Sequence, residues 1–249
     1  MQKTERTVQG VLEAALERLT GAPRPVIGSG RTDRGVHATG QVAAVTVPDR
    51  WDAGSLRKAL NAVLPDDVWV AHAEAVPLEF HPRYDALRRS YEYRVGTSEQ
   101  SRSPFHRRTC WPLGRELDRD ALDAAAAALP GRHSFRAFAR AGQPERGEYC
   151  TVEEAAWSAW GDLGVRFTIT ADRYLHHMVR YLVGTQVEIA LGRRQVADLG
   201  RLLDDPDAGT TSPPAPPEGL FLTHVEYGPP PYTGRPHEDR APEESALTP

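Results

Sequence analysis

Apolar residues recur along this chain with two different periods. Val8, Val11, Leu12, Ala15, Leu16 and Leu19 share one face of a 3.6-residue helix. Thr7 stands where an N-cap belongs, and Gly21 and Pro23 stand where a helix stops. Leu56, Leu60, Val63 and Leu64 form a second such face behind Asp52, and Pro65 closes it. A third helix, capped by Asp118 or Asp120, is an alanine-rich run to about Leu129, stopped by Pro130 and Gly131. A fourth is expected over 174–189, with Leu175, Met178, Val179, Leu182 and Val183 inward, and a fifth over 196–203. Period two appears in SYEYRV at 90–95, as in a half-buried strand. Further strands are expected at 25–27, 42–47, 68–70, 151–157, 165–170 and 220–227. Helix, strand, strand, helix, strand, followed by a similar set, predicts an α+β class of two sandwiches. Each sandwich is an antiparallel sheet with helices on one face.

Between the first two strands lies GSGRTDRGVHATGQV, residues 28–42. It reads as a long loop with one carboxylate, Asp33, at its tip between Arg31 and Arg34. Loops held by a rigid scaffold are where chemistry usually sits. Asp33 could be a nucleophile or acid–base group kept ionised by an arginine. Taken by composition alone, such an aspartate more often folds its own turn by bonding local amides. A P-loop is excluded, because no lysine follows the glycines at the required spacing. His176 and His177, with His106 and His133, raise a metal site, but neighbouring histidines on a helix point about 100° apart and chelate poorly. No metal is expected. Tyr91 fits a strand aromatic in a core as well as a catalytic group. Arg180 sits between Val179 and Tyr181 on an apolar helix, where an unpaired charge is costly. It therefore needs a carboxylate partner, and Asp33 is one possibility.

Composition narrows the classes. The 249 residues are 40% hydrophobic and 26% charged, enough for one large or two small domains. Only Cys110 and Cys150 are present, so a disulfide framework or cysteine metal site is not expected and a reducing cytoplasm fits. The first residues lack a signal-peptide core, and the longest small-apolar run, 124–129, is far short of a membrane span. A net charge of −4 does not advertise a nucleic-acid binder, but half of it lies in the tail from Gly228 on. Apart from Lys3 and Lys58 the cations are all arginine. Arginine is the better phosphate fork, although a GC-rich genome gives the same bias.

Five segments in order resemble the tRNA pseudouridine synthase A family: GRTDRGVHATGQV, LNAVLPDDVWV, EFHPRYDALRRSYEYRV, YLHHMVRYLVGTQVEIALG and APPEGLFLTHVEY, together spanning about 6–227. The resemblance implies two ferredoxin-like halves forming a central, mostly antiparallel sheet with helices on one side. Residues 1–87 would carry the aspartate loop, 88–228 would complete the active site, and 229–249 would be a disordered tail. It implies isomerisation of uridine to pseudouridine at positions 38, 39 and 40 of the tRNA anticodon stem-loop, without a cofactor, by a homodimer with no membrane association. Asp33 matches the catalytic aspartate, Tyr91 the substrate-contacting tyrosine, and Arg180 the arginine that pairs with the aspartate. Arg31 matches the arginine implicated in holding the extruded nucleotide's place, and Leu220 lies in the segment lining the pocket. Arg102, Arg107, Arg108, Arg136 and Arg140 are candidates for phosphate contacts or for plain solvated surface.

Two departures stand out. Only six residues precede Thr7; extended, they reach ~20 Å, too little for the full strand and turn with which the family begins. The first N-terminal strand is therefore expected to be missing. An N-terminally truncated, catalytically impaired RNA-binding remnant stands as the alternative function. Arg34 also replaces a residue that is commonly small in the family. A glycosidase reading is weaker, since no second carboxylate is evident.

Overall fold

The computed structural model describes residues 6–140, 147–230 and 232. Its contacts group the chain into two units. One takes in the described residues within Met1–Arg31, Val42–Ala86 and Tyr227–Pro249; the other takes in Thr32–Gln41 and Leu87–Glu226. The class is α+β, with five α-helices, a two-stranded sheet and a seven-stranded mixed sheet among the described residues.

In the first unit, helix α1 (Val8–Thr20) starts where Thr7 accepts a hydrogen bond from the Gly10 amide at 3.0 Å. It ends at Gly21, whose φ of 82° lets its N–H reach the Glu17 carbonyl. Helix α2 (Ala53–Val63) is capped by Asp52, which accepts from the Ser55 amide at 2.9 Å. Ala15 and Leu16 of α1 meet Leu56 and Leu60 of α2 in a small core closed by Val26. Strands β1 (Ile27–Gly28) and β3 (Ala43–Ala44) pair antiparallel at the base of the glycine-rich loop. The strand expected at 42–47 is thus only two residues long.

The strand expected at 68–70 does not form. Asn61 takes both backbone groups that a neighbouring strand would use: its amide nitrogen donates to the Val70 carbonyl at 2.9 Å, and its oxygen accepts from the Val70 N–H at 2.8 Å.

The second unit is built on strands β2 (His37–Ala38), β4 (Ala86–Gly96), β5 (Trp111–Pro112), β6 (Gly131–Ser134), β7 (Tyr149–Trp160), β8 (Gly164–Ala171) and β9 (Leu220–Tyr227). Their order is β2-β9-β4-β8-β7-β6, with β5 beside the end of β4. The run β4-β8-β7-β6 is antiparallel, whereas β2 with β9 and β5 with β4 are parallel. Alternation sorts the sheet's two faces. Tyr93, Val95, Phe167, Ile169 and Ala171 are fully buried, while Glu92, Arg94, Arg166 and Thr168 point to the other side. The apolar face is covered by α3 (Arg119–Ala127), α4 (Met178–Ala190) and α5 (Val196–Asp204). Asp118, rather than Asp120, caps α3, accepting from the Ala121 amide at 3.0 Å.

Helix α4 begins at Met178, four residues later than the apolar pattern implies. Tyr174 is drawn to the sheet instead, its phenol donating to the carbonyls of Arg89 and Ile169 at 3.0 and 3.1 Å. His177 then turns the backbone with a φ of 65° before the helix starts. No helix among the described residues is long and apolar enough to cross a membrane. Residues 1–5, on which the expectation of a lost leading strand bears, lie outside the described ones, as do 141–146 and, from the expected tail, 231 and 233–249.

Candidate active site

Asp33 opens a tight turn. The Val36 N–H donates to the Asp33 carbonyl at 3.1 Å, and Gly35, with a φ of 87°, occupies the third position, where a type II turn needs a positive φ. Beyond the turn the chain is not the simple loop expected from sequence. Residues 37 and 38 form β2, in register with Phe221 and Leu222 of β9. The amides of Thr39 and Gly40 both donate to the Leu222 carbonyl, at 2.9 and 3.1 Å. Gly40 lies so close that a Cβ there would sit 2.0 Å from the Thr223 carbonyl oxygen. The His37 ring also stacks on Phe221 at 4.7 Å. The turn that carries Asp33 is therefore fastened to a sheet strand rather than left to wander.

Arg180 comes from the first turn of α4. That turn is bound to an extended segment: the Ala215 N–H donates to the Arg180 carbonyl at 2.9 Å, and the Arg180 Nε donates to the Ala215 carbonyl at 2.7 Å. Farther along the helix, Gly184 admits the Pro213 carbonyl, which a Cβ would meet at 2.2 Å. With its Nε so fixed, Arg180 points Nη1 at the Asp33 Oδ2, 3.2 Å away. Asp33 is thus the carboxylate partner that an arginine on an apolar helix requires. A carboxylate facing the N-terminal turn of a helix is favoured by the macrodipole as well.

Two further side chains, which the sequence suggests only as a weak metal pair, reach Asp33. His176 Nε2 lies 3.3 Å from Oδ1, and His177 Nε2 lies 3.0 Å from Oδ2. The expectation that neighbouring histidines diverge assumed helical backbone for both. With His177 in the left-handed region, the two rings instead lie 4.0 Å apart and turn to the same carboxylate. Nothing in the residue pattern signals that φ.

Burial pushes the His177 imidazole below the ordinary histidine value, and the charges of His176, Arg180 and Arg140 push it the same way. Asp33 pulls it up but does not prevail. At neutral pH, His177 is therefore an uncharged neighbour of the carboxylate, and Arg180 supplies the countercharge. Asp33, His176 and His177 are also the one group among the described residues with three metal-type ligand atoms within 4.8 Å of one another. The Arg180 guanidinium already sits on the same oxygen, so a cation there would face a fixed positive charge.

Tyr91 projects from β4 to the helix-covered side, two residues before buried Tyr93, and its ring meets Tyr174 edge-on at 4.8 Å. Burial raises its phenol pKa, and the negative charge of Asp33 raises it further, so the group stays protonated. Leu220 is buried at the start of β9, in the core against which Tyr91 packs. Just before it, Gly219 lets the Tyr93 ring approach: a Cβ would lie 2.6 Å from that ring. The structure thus gathers Asp33, Arg180, Tyr91 and Leu220 in the second unit. Arg31 is exposed and belongs to the first. The result is a single carboxylate, clamped from one side by arginine and histidines, with a neutral phenol and an apolar wall nearby. That is a nucleophile's setting.

A family model described as tRNA pseudouridine synthase matches residues 1–85 and 125–228. The chain is similar to the tRNA pseudouridine synthase A of Moorella thermoacetica, with 42% identity over 223 residues, 89% of each chain. With that of a Bradyrhizobium species it shares 40% over 232 residues, 91% of this chain and 92% of the relative. With that of Methylacidiphilum infernorum it shares 38% over 224 residues, 90% and 87% of the two chains. Matched across most of its length, the chain belongs to the tRNA pseudouridine synthase family.

Proposed function

We propose that this chain isomerises uridine to pseudouridine at positions 38, 39 and 40 of the tRNA anticodon stem-loop, with Asp33 as nucleophile. The observation that carries the reading is the Asp33–Arg180 pair, in which the carboxylate is given a countercharge and oriented without being enclosed. The reaction breaks the bond between N1 of uracil and C1′ of ribose and makes one between C5 and C1′. C5 loses a proton and N1 gains one, so no oxidant and no phosphate energy enter the balance. A carboxylate can hold the detached partner as a covalent adduct at a sugar or base carbon while the ring turns.

A base within a stem must first leave the stack, at a cost of ~ a few kcal/mol. Tyr91 is the surface on which the extruded uracil rests, and Leu220 excludes water beside it. Arg31 holds the place the base has left. Arg180 takes up no proton in the cycle; its work is to hold and orient the Asp33 carboxylate. The protein acts as a homodimer in the cytoplasm, where its substrate is made. An impaired remnant is not favoured, because the pair on which the chemistry depends is formed and fastened at both ends.

The test is to incubate purified protein with an unmodified tRNA bearing uridine at position 39 and to map pseudouridine by chemical probing, with Asp33→Asn alongside. Pseudouridine at 39 with wild type and none with the variant is the expected result. Equal product from both would remove Asp33 from the chemistry; product at other positions only would overturn the substrate site.

A further inference from the structure

The second unit carries a concave surface that the isomerisation does not use. Pro104, Arg107, Arg108, Pro112 and Glu218 line it, around a volume of about 540 Å³. The loop above it is held by its own backbone. The amides of His106 and Arg107 donate to the Ser103 carbonyl, the Thr109 amide donates to that of His106, and buried Cys110 anchors the end. So ordered, the loop still presents Phe105 with 88% of its surface exposed, more than any other large apolar side chain among the described residues. A ring turned outward from a well-tied loop is not a failed core residue.

The arginines beside it are exposed, and among the described residues neither guanidinium has a carboxylate partner. Elsewhere in the same unit, Arg119, Arg136, Arg193 and Arg201 are each held by an aspartate or glutamate. The surface also shares its frame with the reactive turn. His37 Nε2 of β2 lies 2.8 Å from the Arg108 carbonyl oxygen, and the Glu218 carboxylate lies 3.5 Å from where a Cβ on Gly35 would stand.

We propose that Phe105, Arg107 and Arg108 form a stacking and phosphate-binding surface for unpaired nucleotides of the substrate RNA next to the target uridine. The inference rests on the tRNA reading above. An exposed aromatic ring accepts the face of any base, and only unpaired nucleotides offer one. Guanidinium groups without protein partners fit the phosphates on either side of that base. Glu218, which also lines the surface, repels phosphate and favours the strand on the arginines. An acidic protein partner would satisfy the arginines but gives no use for the exposed ring of Phe105.

The experiment measures the affinity of the full chain for an unmodified tRNA transcript over a range of salt, for wild type, Phe105→Ala, Phe105→Trp and the double variant Arg107→Gln/Arg108→Gln. Phe105→Ala is expected to bind roughly tenfold more weakly and Phe105→Trp as well as wild type, as stacking requires. The double variant is expected to flatten the plot of log affinity against log salt by about 1.5, the share of two lost phosphate contacts. Unchanged affinity and slope in both would overturn the proposal. So would a change of oligomeric state in Phe105→Ala with tRNA affinity intact, which would make the surface a protein interface. Should wild type bind tRNA through these residues yet form no pseudouridine, the proposed function falls and this surface stands.

Discussion

His177 holds a backbone conformation that costs an L-residue on the order of 1 kcal/mol, and it is the one non-glycine residue with positive φ among those described. The turn brings both imidazoles to Asp33. His177→Gly would remove the ring while relaxing the backbone. We expect a melting temperature equal to or above wild type and turnover at least tenfold slower; a clear fall in melting temperature would contradict the strain argument. The depressed pKa has a consequence of its own. As pH falls, the unfolded chain takes up a proton at the ordinary histidine value before the folded chain does. The contribution is therefore complete above that value and is lost progressively below it. Wild type should accordingly lose more stability between neutral and mildly acid pH than His177→Gly does, as read by thermal melts; parallel curves would refute this. Arg180 is equally specific in its demands, since one guanidinium bonds the Ala215 carbonyl and Asp33 at once. A lysine donates from one nitrogen only and cannot reproduce the rigid fork that reaches these two acceptors from separate nitrogens. Arg180→Lys should fold and turn over at least tenfold more slowly, and wild-type rates would show that the fork is dispensable.

At the scale of elements, the helix caps were readable because each is a contact between residues three apart: Thr7 with Gly10, Asp52 with Ser55, Asp118 with Ala121. The strands expected over 151–157 and 165–170 both form, although β7 and β8 each extend beyond those limits. Two readings failed where a distant or side-chain partner displaced a local preference. Asn61 satisfies Val70 in place of a strand, and the sheet takes Tyr174 away from α4. β2 escaped notice for a related reason. Its pairing partner lies 184 positions away, from His37 to Phe221, and two residues carry no period. Its fastening gives a sharp prediction at Gly40, where a methyl group would be forced into the Thr223 carbonyl. Gly40→Ala should cost about 2 kcal/mol by denaturant melting, in the range of overpacked sites, and should slow the reaction by displacing Asp33. A variant with wild-type stability would mean the loop is not held as described.

For the molecule as a whole, the candidate site was legible to an uneven degree. Asp33 and Arg180 followed from the signature loop and from the cost of an arginine on an apolar helix, but their meeting joins residues 147 positions apart, which no local pattern encodes. The net charge of −4 gives no hint of a polyanionic substrate. The distribution does, once pairing is known. Arg136 is committed to Asp207 and Glu148, whereas Arg107 and Arg108 lie exposed beside the reactive turn. Composition could not separate those arginines, because the distinction lies in which carboxylates fold next to them. The account stands or falls on whether this chain displaces the C5 hydrogen of a tRNA uridine in a reaction that needs Asp33. Release of tritium from tRNA carrying 5-tritiated uridine measures that step directly. Wild type should release label in proportion to the target uridines present, and Asp33→Asn should release none. Release by the variant at the wild-type rate, or none by wild type, would contradict it.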